Sequence, residues 1–286
     1  MKINELKKDI KRRLEEAGIA DAETDTRLLL KEFAGVSRAD LYAEPDMETR
    51  DDMRLEELEA AVLKRISRIP LQHILGETSF MGFDFLCSPD ALIPRPDTEI
   101  LVEEVLRDYH EGSRIHDLCT GTGCIIISLM ALTGDCMGVG TDISGSALDL
   151  AKKNAEKVLG SSYAEKLGFF EGDLYEALPG GEKFEIIVSN PPYIKSADID
   201  GLMPEVKDHD PHLALDGGED GLIFYRRIIE GAHSYLKGGG ELYLEIGAGQ
   251  AEDVSNIMKE NRFLEINVIK DFGGNDRVVT GILSSL

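Results

Sequence analysis

Arg114-Ile115-His116-Asp117-Leu118-Cys119-Thr120-Gly121-Thr122-Gly123-Cys124 reads as a short strand that runs into a glycine turn and then a helix. Gly121 and Gly123 let the backbone turn sharply and approach a ligand closely. The free N–H groups at the start of the following helix then face whatever occupies the turn. A plain strand-to-helix connection uses the same residues, so the flanking chain decides the reading. Downstream, residues 137–142, 169–173, 184–188 and 241–246 read as further strands, with helical stretches such as 147–158 between them. The run Phe184-Glu185-Ile186-Ile187-Val188 is apolar with little alternation, as suits a strand buried on both faces. Alternation of strand and helix predicts a doubly wound, mainly parallel sheet of the seven-stranded Rossmann-like kind, an α/β fold. At the end, residues 266–269 and 277–280 flank Gly273-Gly274-Asn275-Asp276 and predict a terminal antiparallel hairpin.

Upstream, the pattern is helical. Ile3, Leu6, Ile10 and Leu14 share one helical face, with Gly18 as a stop. Leu29, Leu30 and Phe33 mark a second apolar face, and Ser37 is placed to cap a short third helix. Leu55, Leu58, Val62 and Ile66 form a longer stripe that ends before Pro70. Phe80, Phe83 and Phe85 around Gly82 suit a β-hairpin. In Ile93-Pro94-Arg95-Pro96-Asp97-Thr98-Glu99 the prolines delay the next helix, and Asp97 or Thr98 can cap it. The expected organisation is a small helical bundle over 1–75, a hairpin linker over 76–96 and an α/β domain over 97–286.

Composition narrows the function classes. The chain has 286 residues, 42% of them hydrophobic, and a formal net charge of −23. Such a surface repels phosphate backbones, so direct contact with nucleic acid is not expected. The basic run Lys7, Lys8, Lys11, Arg12 and Arg13 reads as the solvated face of a helix. Cys87, Cys119, Cys124 and Cys136 form no CxxC pair and have no histidine at ligand spacing, so neither a metal site nor a disulfide framework is expected. No apolar run approaches the roughly 20 residues that span a bilayer, and the first residues are charged. The expectation is a cytoplasmic protein with no membrane association.

The acids after the second and third strands sharpen the ligand. Asp142 stands about 20 residues beyond the glycines, where a carboxylate accepts both hydroxyls of a ribose. Capping of the next helix is its alternative role, shared with Ser144. Asp173 can meet an adenine amino group or simply end the strand. A dinucleotide fingerprint would need a third glycine at position 126, which is Ile126. The pattern Asp117-x-x-x-Gly121-x-Gly123 instead resembles the first motif of class I S-adenosylmethionine (SAM)-dependent methyltransferases. Cys119 stands where that family usually has glycine, so a positive φ there would strain it.

Asn190-Pro191-Pro192-Tyr193 follows the fourth strand directly. The two prolines stiffen the backbone and remove two N–H donors, leaving carbonyl oxygens to act as acceptors. The motif resembles the [Asn/Asp]-Pro-Pro-aromatic motif of amino-methyltransferases, which act on nitrogens conjugated to a π system. Asn190 Oδ1 and the Pro191 carbonyl can each accept one hydrogen of a planar NH₂ group. Both bonds strengthen as charge builds on the nitrogen. Tyr193 can stack on the flat group and align it. A rigid loop without chemistry, adenine N6 of a nucleic acid, and a SAM-binding scaffold without turnover remain open on these residues alone.

Four segments occur in order: Pro70-Leu71-Gln72-His73-Ile74-Leu75-Gly76, Ile93-Pro94-Arg95-Pro96-Asp97-Thr98-Glu99, Asn190-Pro191-Pro192-Tyr193 and Ala214-Leu215-Asp216-Gly217-Gly218-Glu219-Asp220-Gly221-Leu222. Together they resemble the peptide chain release factor glutamine N5-methyltransferase family over almost the whole chain. The resemblance implies methyl transfer from SAM, giving S-adenosylhomocysteine, to the glutamine of the Gly-Gly-Gln loop of release factors, with no metal. It implies cofactor contacts at Cys119, Thr120, Gly121, Thr122, Gly123, Asp142, Asp173, Leu174 and Asn190. It implies substrate contacts at Asn190, Pro191, Pro192 and Tyr193, with Asn190, Pro191 and Tyr193 catalytic and the N-terminal helices recognising the protein substrate. The substrate loop is expected between the Asn190–Tyr193 wall and the hairpin around Phe80. Leu174 replaces a common aromatic, His73 a common tyrosine, and Asp210-Pro211-His212-Leu213 departs from a Glu-Pro form. Arg95 is open between a substrate contact and a linker anchor. Arg277 is expected to pair with a carboxylate at the closing hairpin, and Phe80 and Phe83 are expected in the linker core rather than at substrate.

Overall fold

The computed structural model describes residues 1–44, 47–178 and 180–285. They form two compact units, one of residues 1–76 with 203–209 and the other of 77–202 with 210 onward.

The first unit is helical: α1 (Ile3–Glu16), α2 (Ala22–Ala34), α3 (Arg38–Ala43), α4 (Leu55–Ile66) and α5 (Leu71–Leu75), with a short helix Pro204–Lys207 from its second segment. The apolar spacing read in the sequence places Ile3, Ile10 and Leu14 of α1 against Leu29 and Leu30 of α2 and Leu58 and Val62 of α4. Ser37 caps α3 through its hydroxyl, while the Asp40 carboxylate accepts the Ser37 N–H at 2.8 Å, a reciprocal capping box. The basic run lies along α1 in surface ion pairs, Lys7 with Glu23, Arg12 with Glu16 and Arg13 with Glu59. Arg65 is different because it is buried. Its Nε donates to Asp25 Oδ2 at 2.7 Å and its Nη1 to Glu205 Oε1 at 3.0 Å, while Arg68 Nη2 donates to Glu205 Oε2 at 2.6 Å. The segment 203–209 is thus tied to α4 by charge.

The second unit opens with the hairpin β1 (Glu77–Phe80) and β2 (Phe83–Leu86), whose Phe80 and Phe85 rings meet edge to face at 6.0 Å in the core. There follow α6 (Glu99–Asp108), β3 (Arg114–Leu118), α7 (Cys124–Thr133), β4 (Met137–Asp142), α8 (Gly145–Leu159), β5 (Leu167–Glu171) and β6 (Phe184–Ser189). The unit ends with α9 (Ile223–Tyr235), β7 (Leu236–Glu245), α10 (Ala251–Glu260), β8 (Phe263–Lys270) and β9 (Asp276–Leu283). The seven strands β3 to β9 run in the order β5-β4-β3-β6-β7-β9-β8. Pairing is parallel from β5 to β7, and β9 is antiparallel to both β7 and β8. Apolar strands form because both faces are covered: α9 and α10 side chains pack with Ile187, Leu242 and Leu244, and α6 and α7 side chains with Ile115, Ile186 and Val188.

Two boundaries differ from the sequence reading. The strand expected at 169–173 is β5, ending at Glu171: the Gly172 N–H makes the last bond toward β4, to Asp142 O at 2.9 Å, and Asp173 then leads into a 3₁₀ turn over Leu174–Ala177. β7 begins at Leu236 rather than near 241, since the backbone continues through Gly238–Gly240 with a register shift against β6. The strand order reverses between β3 and β6, which pair directly in parallel, Leu118 opposite Ser189. In an open α/β sheet that reversal opens a crevice at the strands' carboxyl ends.

Removing one partner of a buried ion pair leaves an uncompensated charge and costs several kcal/mol. Arg65→Ala is expected to destabilise the helical unit by roughly 3 kcal/mol, read as a lowered urea midpoint, whereas Arg12→Ala on the α1 surface leaves the midpoint essentially unchanged.

Candidate active site

The loop that leaves β3 is held open by left-handed backbone at three positions: Cys119 (φ 58°), Gly121 (φ 54°) and Gly123 (φ 78°). Cys119 therefore does occupy the conformation that glycine tolerates and a side chain resists. An added Cβ at Gly121 would meet no atom within 4 Å, so this glycine borders open space. One at Gly123 would lie 2.7 Å from Ile127 Cδ1 and 3.2 Å from Ala151 Cβ, so this glycine lets the loop pack on α7 and α8. The loop's polar groups are tethered one by one. Thr120 Oγ1 donates to Asp117 Oδ2 at 2.6 Å, Gly121 N–H to Asp142 Oδ2 at 2.9 Å, and buried Asn154 of α8 donates to Thr122 O at 3.0 Å. Asn154 also brackets Leu86 of the hairpin, accepting its N–H at 2.7 Å and donating to its carbonyl at 3.2 Å.

Two carboxylates stand beside the loop. Burial pushes the Asp117 carboxyl up to about 7, against the pull of the Thr120 hydroxyl. Burial also raises Asp142, opposed by the N–H groups of Ser144 and Gly121. Ser144, not Asp142, caps α8, its hydroxyl accepting Ala147 N–H at 3.2 Å. Asp142 instead ties the glycine loop to the end of β4, and its oxygens retain acceptor positions beyond the two N–H groups they hold.

A cavity of about 210 Å³ lies over the carboxyl ends of β3, β4 and β6. Its wall brings together Cys119, Thr120, Gly121, Thr122, Asp142, Asp173, Leu174, Asn190 and Pro192. Gly123, Pro191 and Tyr193 are not on that wall. Leu174 has φ 53° and presents an apolar surface, and Asp173 shares its carboxylate with Arg227 of α9 at 2.9 Å. The side facing the glycine loop and Asn190 is not the Phe80 hairpin, as expected from the resemblance. Phe80 is sealed in the core with Phe85, and residues 90–95, Thr98, Pro211, Leu213, Ala214 and Phe224 line the cavity instead. Arg95 donates to Asp210 Oδ2 at 2.6 Å and so anchors the segment that carries Pro211. Arg277 lies at the closing hairpin with Asp271 at 3.0 Å and Asp97 at 3.2 Å.

Asn190 shows how the elbow is oriented. Its Nδ2 donates to Thr98 Oγ1 at 3.2 Å. Thr98 stands at the cap position of α6 yet makes no side-chain cap bond, because its backbone is already helical, continuing the 3₁₀ turn Pro96–Thr98, and its hydroxyl accepts from the Asn190 amide instead. Glu245, at the end of β7 and 2% exposed, faces both groups, and one of its oxygens has no protein partner. Burial pushes its carboxyl up to about 7, with Thr98, Arg277 and Asn190 pulling the other way. Tyr193 is pushed up to about 12 by burial and the Glu245 charge, so it stays a neutral phenol. Thr98, Asn154, Glu245 and Arg227 were not legible as site residues: each comes from a distant segment with no local motif for the role. Only Thr98 carried a signal, read as a helix cap. The four cysteines are free thiols, no group of His, Cys, Asp and Glu among the described residues is arranged to hold a metal ion, and none of their helices is long and apolar enough to cross a membrane.

A seven-stranded sheet with β9 inserted antiparallel, a glycine loop after its first parallel strand and an acid after the next define a class I SAM-dependent methyltransferase. A solved methyltransferase from Pyrococcus furiosus shares this fold with a TM-score of 0.53 at 18% identity, over 79% of this chain and 98% of its own. A family model of the PrmC N-terminal domain matches residues 5–76, and one of the methyltransferase small domain matches residues 96–206. The release factor glutamine methyltransferase of Geobacter sulfurreducens is 42% identical over 271 residues, 94% of this chain and 92% of its own. That of Agrobacterium fabrum is 40% identical over 276 residues, 94% and 93% of the two chains. The chain belongs to the release factor glutamine methyltransferase family.

A left-handed backbone disfavours side chains, and β-branched ones most. Cys119→Val is expected to lower stability by about 1–2 kcal/mol relative to Cys119→Gly, compared through their urea denaturation midpoints. Equal midpoints would mean that the loop relaxes out of the left-handed region.

Proposed function

We propose that this enzyme methylates the side-chain amide nitrogen, N5, of the glutamine in the Gly-Gly-Gln loop of peptide chain release factors, using SAM. The observation that carries the reading is the placement of the two loops. The glycine loop and the Asn190 elbow leave neighbouring strands at Leu118 and Ser189 and border one cavity, with the donor edge of Asn190 engaged by Thr98.

The residues fit the cofactor. Gly121 borders open space, and Asp142 offers acceptor positions for a ribose diol beside it. Leu174 offers an apolar surface for an adenine, and Asp173 lies alongside to accept from its amino group. Cys119, Thr120, Thr122 and Asn190 complete the contacts, with Gly123 shaping the loop from behind. SAM supplies an electrophilic methyl group on its sulfonium sulfur.

The chain's own part is orientation and electrostatics. A glutamine amide nitrogen is a weak nucleophile because its lone pair is delocalised into the carbonyl. With Nδ2 of Asn190 turned to Thr98, Oδ1 remains as the acceptor for one amide hydrogen. The Pro191 carbonyl accepts the other. Both contacts strengthen as positive charge develops on the nitrogen, so they lower the barrier more than they tighten binding. Neutral Tyr193 stacks on the flat amide without competing for a proton. Residues 1–75 are assigned to recognition of the release factor, 76–96 to the connection and 97–286 to catalysis. The match of residues 5–76 to a family-specific N-terminal model supports this division.

Incubation of a class I release factor with enzyme and SAM is expected to add one methyl, located by tandem mass spectrometry on the Gly-Gly-Gln glutamine. Label appearing in DNA or RNA instead would overturn the assignment in favour of an adenine substrate. Asn190→Ala is expected to reduce turnover by at least about 10²-fold, the scale of a lost transition-state hydrogen bond, while the SAM dissociation constant stays within a few-fold. Asp142→Ala is expected to weaken SAM binding in calorimetry by about tenfold or more.

A further inference from the structure

Gln250 stands at the start of α10, outside the cavity, in no motif that the function uses. Its side-chain amide is nevertheless hydrogen-bonded at both ends. Nε2 donates to Tyr193 O at 3.0 Å and to Gly221 O at 3.2 Å. Oε1 accepts from Gly247 N–H at 2.9 Å and from the Tyr225 hydroxyl at 3.3 Å. A primary amide has two donor hydrogens and two lone pairs; both hydrogens and one lone pair are fully engaged, and the second lone pair shares the single Tyr225 hydrogen. The partners also fix which end is which, since carbonyl oxygens can only accept and the Gly247 N–H can only donate. Tyr225 is itself buried, and its one hydrogen is shared between Gln250 Oε1 and the nearer Glu245 carbonyl at 3.0 Å.

The chain has been cleared of side chains around this amide. A Cβ at Gly221 would lie 2.5 Å from Tyr193 O and 2.8 Å from Gln250 Nε2. One at Gly247 would lie 2.8 Å from Gln250 Oε1 and 3.0 Å from Tyr193 Cδ2. One at Gly217 would lie 2.8 Å from Tyr193 Cα. The elbow needs such support because Pro191 and Pro192 offer no N–H to bind it. Beyond it, Ile194 bonds Leu215 O at 3.0 Å and Gly217 N–H at 2.7 Å. The carbonyl of Tyr193 is therefore clamped between the prolines and this bridge by a single side chain, which also binds the 217–221 loop, the end of β7 and α9.

We propose that Gln250 is a positioning residue for methyl transfer, holding the Tyr193 backbone so that the Tyr193 ring and the Asn190 amide meet the substrate amide at the angle the reaction needs. The inference rests on the roles given above to Asn190 and Tyr193. Gln250 touches neither substrate nor cofactor; its effect passes through the elbow. A displacement of order 1 Å at a reacting group costs about 10²-fold in rate.

The test uses the full-length enzyme with SAM and a class I release factor, with rates counted per SAM-binding site from calorimetric stoichiometry. Parent enzyme that methylates no release factor overturns the functional reading itself, before any variant is compared. Given an active parent, Gln250→Met removes the hydrogen bonds of this amide at similar volume, and Gln250→Glu sets a carboxylate against two carbonyl oxygens. Both are expected to lower kcat by about 10- to 100-fold, with the SAM dissociation constant within threefold of the parent. The Gln250→Glu deficit is expected to shrink as pH falls from 9 to 5.5, because a protonated carboxyl regains one donor; the Gln250→Met deficit stays constant. Variants within twofold of the parent kcat overturn the proposal. So does SAM affinity that falls in step with kcat, or a Gln250→Glu deficit that does not vary with pH.

Discussion

The parallel register that sets Leu118 beside Ser189 governs the geometry of the whole site. The strand order reverses at this pair, and the Ser189 hydroxyl donates across to Leu118 O at 2.7 Å where the two strands end. A shift of either strand would carry its loop away from the other. Because β3 and β6 lie in the middle of the sheet with helices on both faces, their register is held by burial as well as by hydrogen bonds. The glycine loop and the Asn190 elbow thus face one cavity from rigid supports, while residues 90–95 and 211–214 supply the rest of its wall.

Around that junction three carboxyls are buried or half-buried. Asp117, Asp142 and Glu245 all bind protons more tightly than exposed acids, with burial the leading cause in each case. Each is only partly compensated, by Thr120, by Gly121 and Ser144, and by Thr98 with Arg277 and Asn190. Such carboxyls lower stability as pH rises past the ordinary carboxylate range, because the folded state disfavours their ionised form. The fold tolerates them because the same groups hold the glycine loop and the amide of Asn190 in place.

Much of this architecture was legible locally. The helical spacing of Ile3, Ile10 and Leu14, the capping signal at Ser37, the largely apolar β6 and the glycine pair before α7 each state a local preference that the structure keeps. The left-handed strain at Cys119 was legible as a condition, since glycine is the residue that conformation favours, and the loop does impose it. At Thr98 the local reading reached the wrong partner. Thr98 is a good cap, but Asn190 arrives from 92 positions away to take its hydroxyl. Phe80, expected in the linker core, is buried there by Phe85 and the helices of the second unit.

Sequence alone determined the α/β class, the order of the strands along the chain, the loop that can approach a cofactor and the stiff polar elbow after β6, because periodicity, glycine and proline act within a few residues. Tertiary structure alone decided which side chains stand behind that elbow. Thr98 meets it from one segment and Glu245 and Gln250 from the end of β7 and the connection after it, and no local signal marks either encounter. Hydrogen-bond partners and proton affinities depend on what packing brings within about 3 Å and removes from water, and that is fixed only when distant strands and helices close over one another.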